Sequence, residues 1–233
     1  MYTKTQNVAI SEDNTKTVSI NKTMQAYAEI KELIITGKLK AETPLRESTL
    51  SEMLNISRTP IREALRLLET ERFVFSTPNK GVCVSKLTCS DALDIMNARI
   101  GLETYAVKLL VKNMDEKKIE SLEKCLQAQK DLMKGYDHIT YAAYDRLFHR
   151  IIMSGADNIR LMEFWDTLND SAQRLLTLMF SKSNRVAISI SKHEQLLKLI
   201  KDRDADKVCT LLEEHVQNAK DAIISILLME ETQ

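Results

Sequence analysis

Three of the chain's four histidines fall where one ion could gather them. Asp145 and His149 stand four residues apart in YDRLFHRI, a spacing that projects both side chains from one face of a helix. His193 lies in the stripe Ile190, His193, Leu197, Ile200, and His215 in the stripe Leu211, His215, Ala219, Ala222, so both imidazoles are expected to point inward. Burying three imidazoles and a carboxylate without partners is costly, and convergence on a divalent metal ion removes that cost. One oxygen and three nitrogens suit zinc first, then nickel or manganese, with positions left for water or a ligand oxygen. Each histidine taken singly reads equally well as a satisfied core residue; the joint pattern points to a metal. Open coordination could also activate water, so a metal-dependent hydrolase or lyase is the rival reading. Against it, no further acid or base stands at a recognisable catalytic spacing. His138 matches no ligand position and reads as a surface or loop histidine.

A second cluster is basic. Arg58, Thr59 and Arg62 occupy the first turn and a half of a helix expected over 58–70, with Ser57 as its N-cap and Pro60 in a turn whose N–H groups have no intrahelical partner. That helix should bury Ile61, Ala64, Leu65 and Leu68. Ahead of it come a helix over 24–36 stopped by Gly37, a short helix carrying Leu50, Met53 and Leu54, and a tight turn at Asn55 and Ile56. Behind it come β-rich runs over 73–76 and 82–85, joined by a turn with Lys80 and Gly81 at its tip. Helix, turn, helix and wing is a geometry for reading double-stranded DNA, with the arginines in the major groove and the wing on adjacent backbone. The plainer reading is an amphipathic helix with solvated arginines.

The elements that must position these residues are nearly all helical. The 233 residues include only five Gly and three Pro, and no apolar run approaches a membrane span. The N-terminus MYTKTQNVAISEDNTKT lacks the apolar core of a signal peptide, so the expectation is a cytoplasmic protein that does not enter membranes. Residues 1–20 read as a flexible polar tail, 21–86 as the DNA-binding domain and 87–233 as an all-helical domain. Its helices are expected over 90–112, 115–134, 139–154, 158–181, 187–201 and 205–229, the first opened by a capping pair of Thr88 and Asp91. The formal net charge of zero hides a mild gradient: 11 Lys and Arg against 8 Asp and Glu over 21–86, and 20 against 23 beyond it. The four cysteines lack C-x-x-C spacing and read as reduced, largely buried thiols.

The run LNISRTPIREALRLLETERFVFSTPNKGVCV resembles the DNA-binding domain of GntR-type regulators, whose recognition helix carries S-R-T-P-[VI]-R-E-A-L before a basic, glycine-tipped wing. The resemblance implies DNA contact by Arg58, Thr59, Arg62, Lys80 and Gly81, with Ser57 at the head of the helix. It departs at Ser48, where an Arg is frequent, at Ala41–Glu42, where Pro-Gly is frequent, and at Arg72, where Gly is frequent. YDRLFHRIIMSGADNIRL, SKHEQLLKLIKDRDADKV and LLEEHVQNA resemble the metal-bearing segments of the FadR-type C-terminal ligand-binding domain, a bundle of six or seven antiparallel helices. The resemblance implies a small carboxylate or sugar-acid effector beside the metal, a homodimer, and repression. It also implies that Arg99 faces the effector, unless Arg99 is spent on a helix-face salt bridge with Glu103. Asn169 and Arg174 are weaker effector-binding candidates.

Overall fold

Ile61, Ala64, Leu65 and Leu68 repeat at helical spacing, and in the computed structural model they are the buried face of α3 (Arg58–Thr70). The structure describes residues 11–78, 81–113 and 115–231. The chain divides into two compact units, one up to Lys86 and one from Leu87.

In the first unit, α1 (Ser11–Ile35) packs Ala26, Ile30 and Ile34 against α3, and α2 (Glu47–Leu54) adds Leu50 to the same core. α1 starts well upstream of the expected residue 24, so residues 11–20 are helical where a flexible tail is expected; residues 1–10 lie outside the described residues. No Gly or Pro interrupts 11–36, and a helix nucleated by buried residues propagates through such a stretch without needing an apolar face. Gly37 ends it in the left-handed region (φ 73°). Ser57 does sit at the N-cap of α3 with extended backbone, but its side chain makes no capping hydrogen bond.

α3 closes with Phe73 N–H donating to the Leu68 carbonyl (2.9 Å) and Arg72 in the left-handed region (φ 63°). Glu42 is likewise left-handed (φ 62°). These are two of the positions where glycine is frequent in the resembling family, and the backbone geometry gives the reason. The wing is β1 (Val74–Thr77) paired antiparallel with β2 (Gly81–Val84), Val74 opposite Val84 and Thr77 opposite Gly81. The preceding loop joins it: Leu45 N–H donates to the Val82 carbonyl (2.7 Å) and Val84 N–H to that of Thr43 (3.1 Å).

Among the described residues, the second unit is a bundle of six helices: α4 (Cys89–Asn113), α5 (Glu116–Leu132), α6 (His138–Ser154), α7 (Ile159–Lys182), α8 (Val186–Lys201) and α9 (Ala205–Glu231), with a 3₁₀ turn at Met133–Gly135. Thr88 and Asp91 cap α4 reciprocally, and Asp115, Asp137 and Asn158 cap α5, α6 and α7 through their side chains. α4 lies along α9 and also meets α6 and α7, so the polar residues of its buried face look into the middle of the bundle. Leu110, Phe148, Ile152, Leu196 and Leu212 are among the fully enclosed core residues. The cysteines are unpaired, with Cys83 and Cys125 buried and Cys89 and Cys209 half-buried. No described helix is long and apolar enough to cross a membrane.

Candidate functional site

The helical spacing that sends Asp145 and His149 from one face of α6 brings them to His193 of α8 and His215 of α9. One ligand atom from each lies within 4.8 Å of all the others. Three of them are imidazole Nε2 atoms: that of His215 is 3.3 Å from that of His149 and 3.2 Å from that of His193. Asp145 Oδ1 stands 3.6 Å from His193 Nε2. Nitrogen ligands about 2.0–2.1 Å from a tetrahedral zinc are roughly 3.3–3.4 Å apart, close to the two nitrogen separations.

The partners behind the rings fix where the protons sit. His149 Nδ1 is 2.7 Å from Glu103 Oε2, and His193 Nδ1 is 2.8 Å from Gln129 Oε1. A carboxylate accepts, and Gln129 spends its N–H on the Tyr144 carbonyl (3.0 Å), so both Nδ1 atoms carry the hydrogen. In the neutral rings both Nε2 atoms are then lone pairs facing His215 Nε2, which has at most one hydrogen for two acceptors. A cation between them removes the conflict, and an oxygen acceptor behind each Nδ1 is the usual orienting partner of a metal-bound histidine. Burial, then the neighbouring imidazoles, holds His193 well below the ordinary histidine pKa, and burial with His149 and Arg99 takes His215 down to about 3. Burial pushes the Asp145 carboxyl up against the pull of His149 and Arg99, and Ser189 Oγ donates to its Oδ1 (3.2 Å).

Glu103 is itself fully buried. Burial alone would raise its pKa, but Arg99 and His149 outweigh that and hold it below the usual carboxylate range. Arg99 Nε donates to Glu103 Oε1 at 2.8 Å, and Trp165 Nε1 donates to the same oxygen at 2.9 Å. The salt bridge and the pocket-facing role read as alternatives for Arg99 therefore coexist, because the residue also lines a cavity with Asp145, His149 and His215. That cavity is small, about 30 Å³, and opens to solvent at its mouth; with the solvent space there the unfilled volume is about 470 Å³. Asn169 and Arg174 are not among its lining residues. Both amide atoms of Asn169 are buried without a partner, and burial lowers the Arg174 guanidinium to about 10. Glu103, Gln129 and Trp165 were not singled out in the sequence as parts of the site. The signal available was a Glu and a Gln set in apolar helical stripes, Met96–Arg99–Glu103–Ala106 and Leu122–Cys125–Gln129.

In the first unit, Ser57, Arg58, Thr59, Arg62 and Arg66 are all exposed at the head and outer face of α3, and Gly81 is exposed in the wing. Lys80 lies outside the described residues. Arg62 is held by Glu47 at the start of α2, Nε to Oε1 at 2.7 Å and Nη2 to Oε2 at 2.9 Å. That bidentate pair lowers the Glu47 pKa and presents the guanidinium in a set orientation. Ser48 is half-buried beside it.

A short turn between α2 and α3, an exposed basic helix face and a two-stranded wing define a winged helix-turn-helix, here carried with a helical bundle. Residues 22–84 match the bacterial regulatory proteins of the gntR family, and residues 94–218, more than half of the chain, match the FCD domain. The chain belongs to the GntR family and carries an FCD domain. It is 26% identical to the gluconate operon transcriptional repressor of Bacillus subtilis, over 87% of this chain and 85% of that one. It is 27% identical to the HTH-type transcriptional regulator YdhC of the same organism, over 78% and 82%. The solved structure of E. coli McbR/YncC is similar with a TM-score of 0.77 at 24% identity, over 90% of this chain and 98% of that one. The chain is thus a DNA-binding transcriptional regulator and not an enzyme, which sets aside the hydrolase or lyase reading.

Proposed function

We propose that this regulator is a repressor whose operator affinity is set by a small acid bound beside a divalent metal ion. The observation that carries this is the three-way meeting of Nε2 atoms, two of them lone pairs by tautomer, at the wall of a cavity that Arg99 also lines. Asp145, His149, His193 and His215 would hold the ion, zinc before nickel or manganese on donor set and spacing. The bound ion would offer an open position to a carboxylate oxygen, with the Arg99 guanidinium beside it as a second anion partner.

On the DNA side, Arg58, Thr59 and Arg62 read base edges, and Ser57 with the wing residues Lys80 and Gly81 takes phosphates. The protein acts as a cytoplasmic homodimer, so that two recognition helices address paired half-sites. Residues 21–86 serve as the DNA-binding domain and 87–233 as the sensing and dimerising domain. The test has two parts. Metal content is measured on purified protein, and a panel of organic and sugar acids is screened for thermal stabilisation with and without a chelator. An operator duplex selected from a random library then reports affinity by gel shift. The reading expects one metal per chain, an acid that stabilises only the metal-loaded protein, and weaker operator binding with that acid. An acid that saturates the protein and leaves operator affinity unchanged refutes the switch.

A further inference from the structure

We propose that the effector is a short acid with an anionic group at each end and an apolar middle, rather than a polyhydroxylated sugar acid. This rests on the effector reading above and narrows it.

The cavity has two charged ends. At the inner one, Arg99, Asp145, His149 and His215 meet, and Lys192 of α8 also lines the cavity, its ammonium 3.8 Å from Glu214. At the outer one stands Arg185, at the start of α8, beside Asn218 of α9. Arg185 and Lys192 are two helical turns apart, roughly 10 Å along the axis. Arg185 is a lining cation with no counter-ion: its contact is a long hydrogen bond from Nη2 to the Asn218 carbonyl (3.4 Å), and no carboxylate among the described residues pairs with it. A guanidinium lining a cavity without a carboxylate partner suits an anionic group supplied by a ligand.

The apolar part of the lining is Met96, Leu176, Met179, Phe180, Ile188 and Val216. It offers almost nothing to a hydroxyl. Ser189 donates its hydroxyl to Asp145, and the Asn218 backbone carbonyl accepts from Arg185, which leaves the side-chain amide of Asn218 at the outer end as the neutral polar group a hydroxyl could meet. A sugar acid carries a hydroxyl on nearly every carbon, and each would lose its water against these side chains without a replacement partner. A methylene chain loses nothing there and gains burial.

The experiment uses the full-length, zinc-loaded protein and isothermal titration calorimetry. Glutarate and adipate are the two-headed probes, pentanoate and hexanoate their one-headed counterparts, and gluconate the polyhydroxylated one. One diacid is expected to bind at least tenfold more tightly than its matched monoacid, and gluconate more weakly than that diacid. Arg185→Gln should close the gap between diacid and monoacid by weakening the diacid far more than the monoacid. Lys192→Gln should weaken both alike, because it acts at the shared inner end. A thermal melt of each variant establishes that it is folded. Equal affinities, a gap that survives Arg185→Gln, or gluconate as the tightest binder overturns the proposal while leaving an acid sensor in place. No binding by any of the acids overturns the effector reading along with it.

Discussion

Glu103 binds three neighbours at once, and much of the site's behaviour should trace to it. Its Oε2 orients His149, while its Oε1 takes Arg99 and Trp165. Glu103→Gln keeps the shape and removes the charge, so metal affinity should fall about ten- to a hundredfold, as for other partners of metal-bound histidines. Competition with a chromophoric chelator measures this, and an unchanged affinity would mean that His149 is oriented by packing alone. Trp165 is the chain's single tryptophan and touches the carboxylate directly, so metal loading should alter its fluorescence in the wild type. At the other functional surface, Arg58→Ala or Arg62→Ala should weaken operator binding roughly ten- to a hundredfold and relax preference at one base pair. Arg66 pairs with Glu63 on the outer face and lies further from the helix start, so Arg66→Ala should lower affinity more evenly across sequences. Gel shifts against single-substituted duplexes distinguish the two behaviours, and identical profiles for all three variants would contradict the base-reading role.

The elements show what local sequence can and cannot specify. α3 was legible to the residue, because Asn55 and Ser57 bracket its start and four apolar residues repeat at 3.6. The bundle helices and the Asp145, His149, His193 set were legible for the same reason, being stripes on single elements. His215 lies in a stripe that is only half-buried, since Leu212, Val216 and Ile223 take the inner line of α9. The upstream reach of α1 was not legible, since residues 11–20 are mostly polar and their sequence shows no apolar period to detect. Nor was the role of Glu103 and Gln129, which depends on how α4, α5, α6 and α8 meet. Backbone geometry makes two further expectations. Arg72 occupies the left-handed residue that closes α3, where an L side chain costs about 1–2 kcal/mol, partly offset in glycine by its freer unfolded chain. Arg72→Gly should therefore stabilise the first unit by about 0.5–1 kcal/mol. Gly155 lies so close to α4 that an added Cβ would stand 2.4 Å from Leu110 Cβ. Gly155→Ala should destabilise the bundle by about 1–3 kcal/mol through overpacking. Urea unfolding checks both; a destabilised R72G or a neutral G155A would show that the loop or the helix pair shifts to absorb the change.

For the whole molecule, the question is whether the bundle, with the acid site proposed for it, and the DNA-binding head share one equilibrium. Binding alone does not establish that, because a ligand with equal affinity for both states shifts neither population. Linkage supplies a stricter measure. If a saturating acid lowers operator affinity by some factor, saturating operator must lower affinity for that acid by the same factor, each measured on metal-loaded protein at one salt concentration. Salt has to be fixed, because the cations brought to the duplex by Arg58, Arg62 and Lys80 displace its counter-ions and would make operator affinity fall steeply as salt rises. The expected factor is about 5- to 150-fold, the usual range of coupling between sites. Titrating the acid by calorimetry with and without excess operator, beside gel shifts with and without excess acid, gives both values independently. Removing the metal should abolish both together, since the acid then lacks its inner anchor. A factor that appears in the gel shift and not in the calorimetry would mean that the acid competes for the DNA surface or aggregates the protein, and that the bundle does not govern the head.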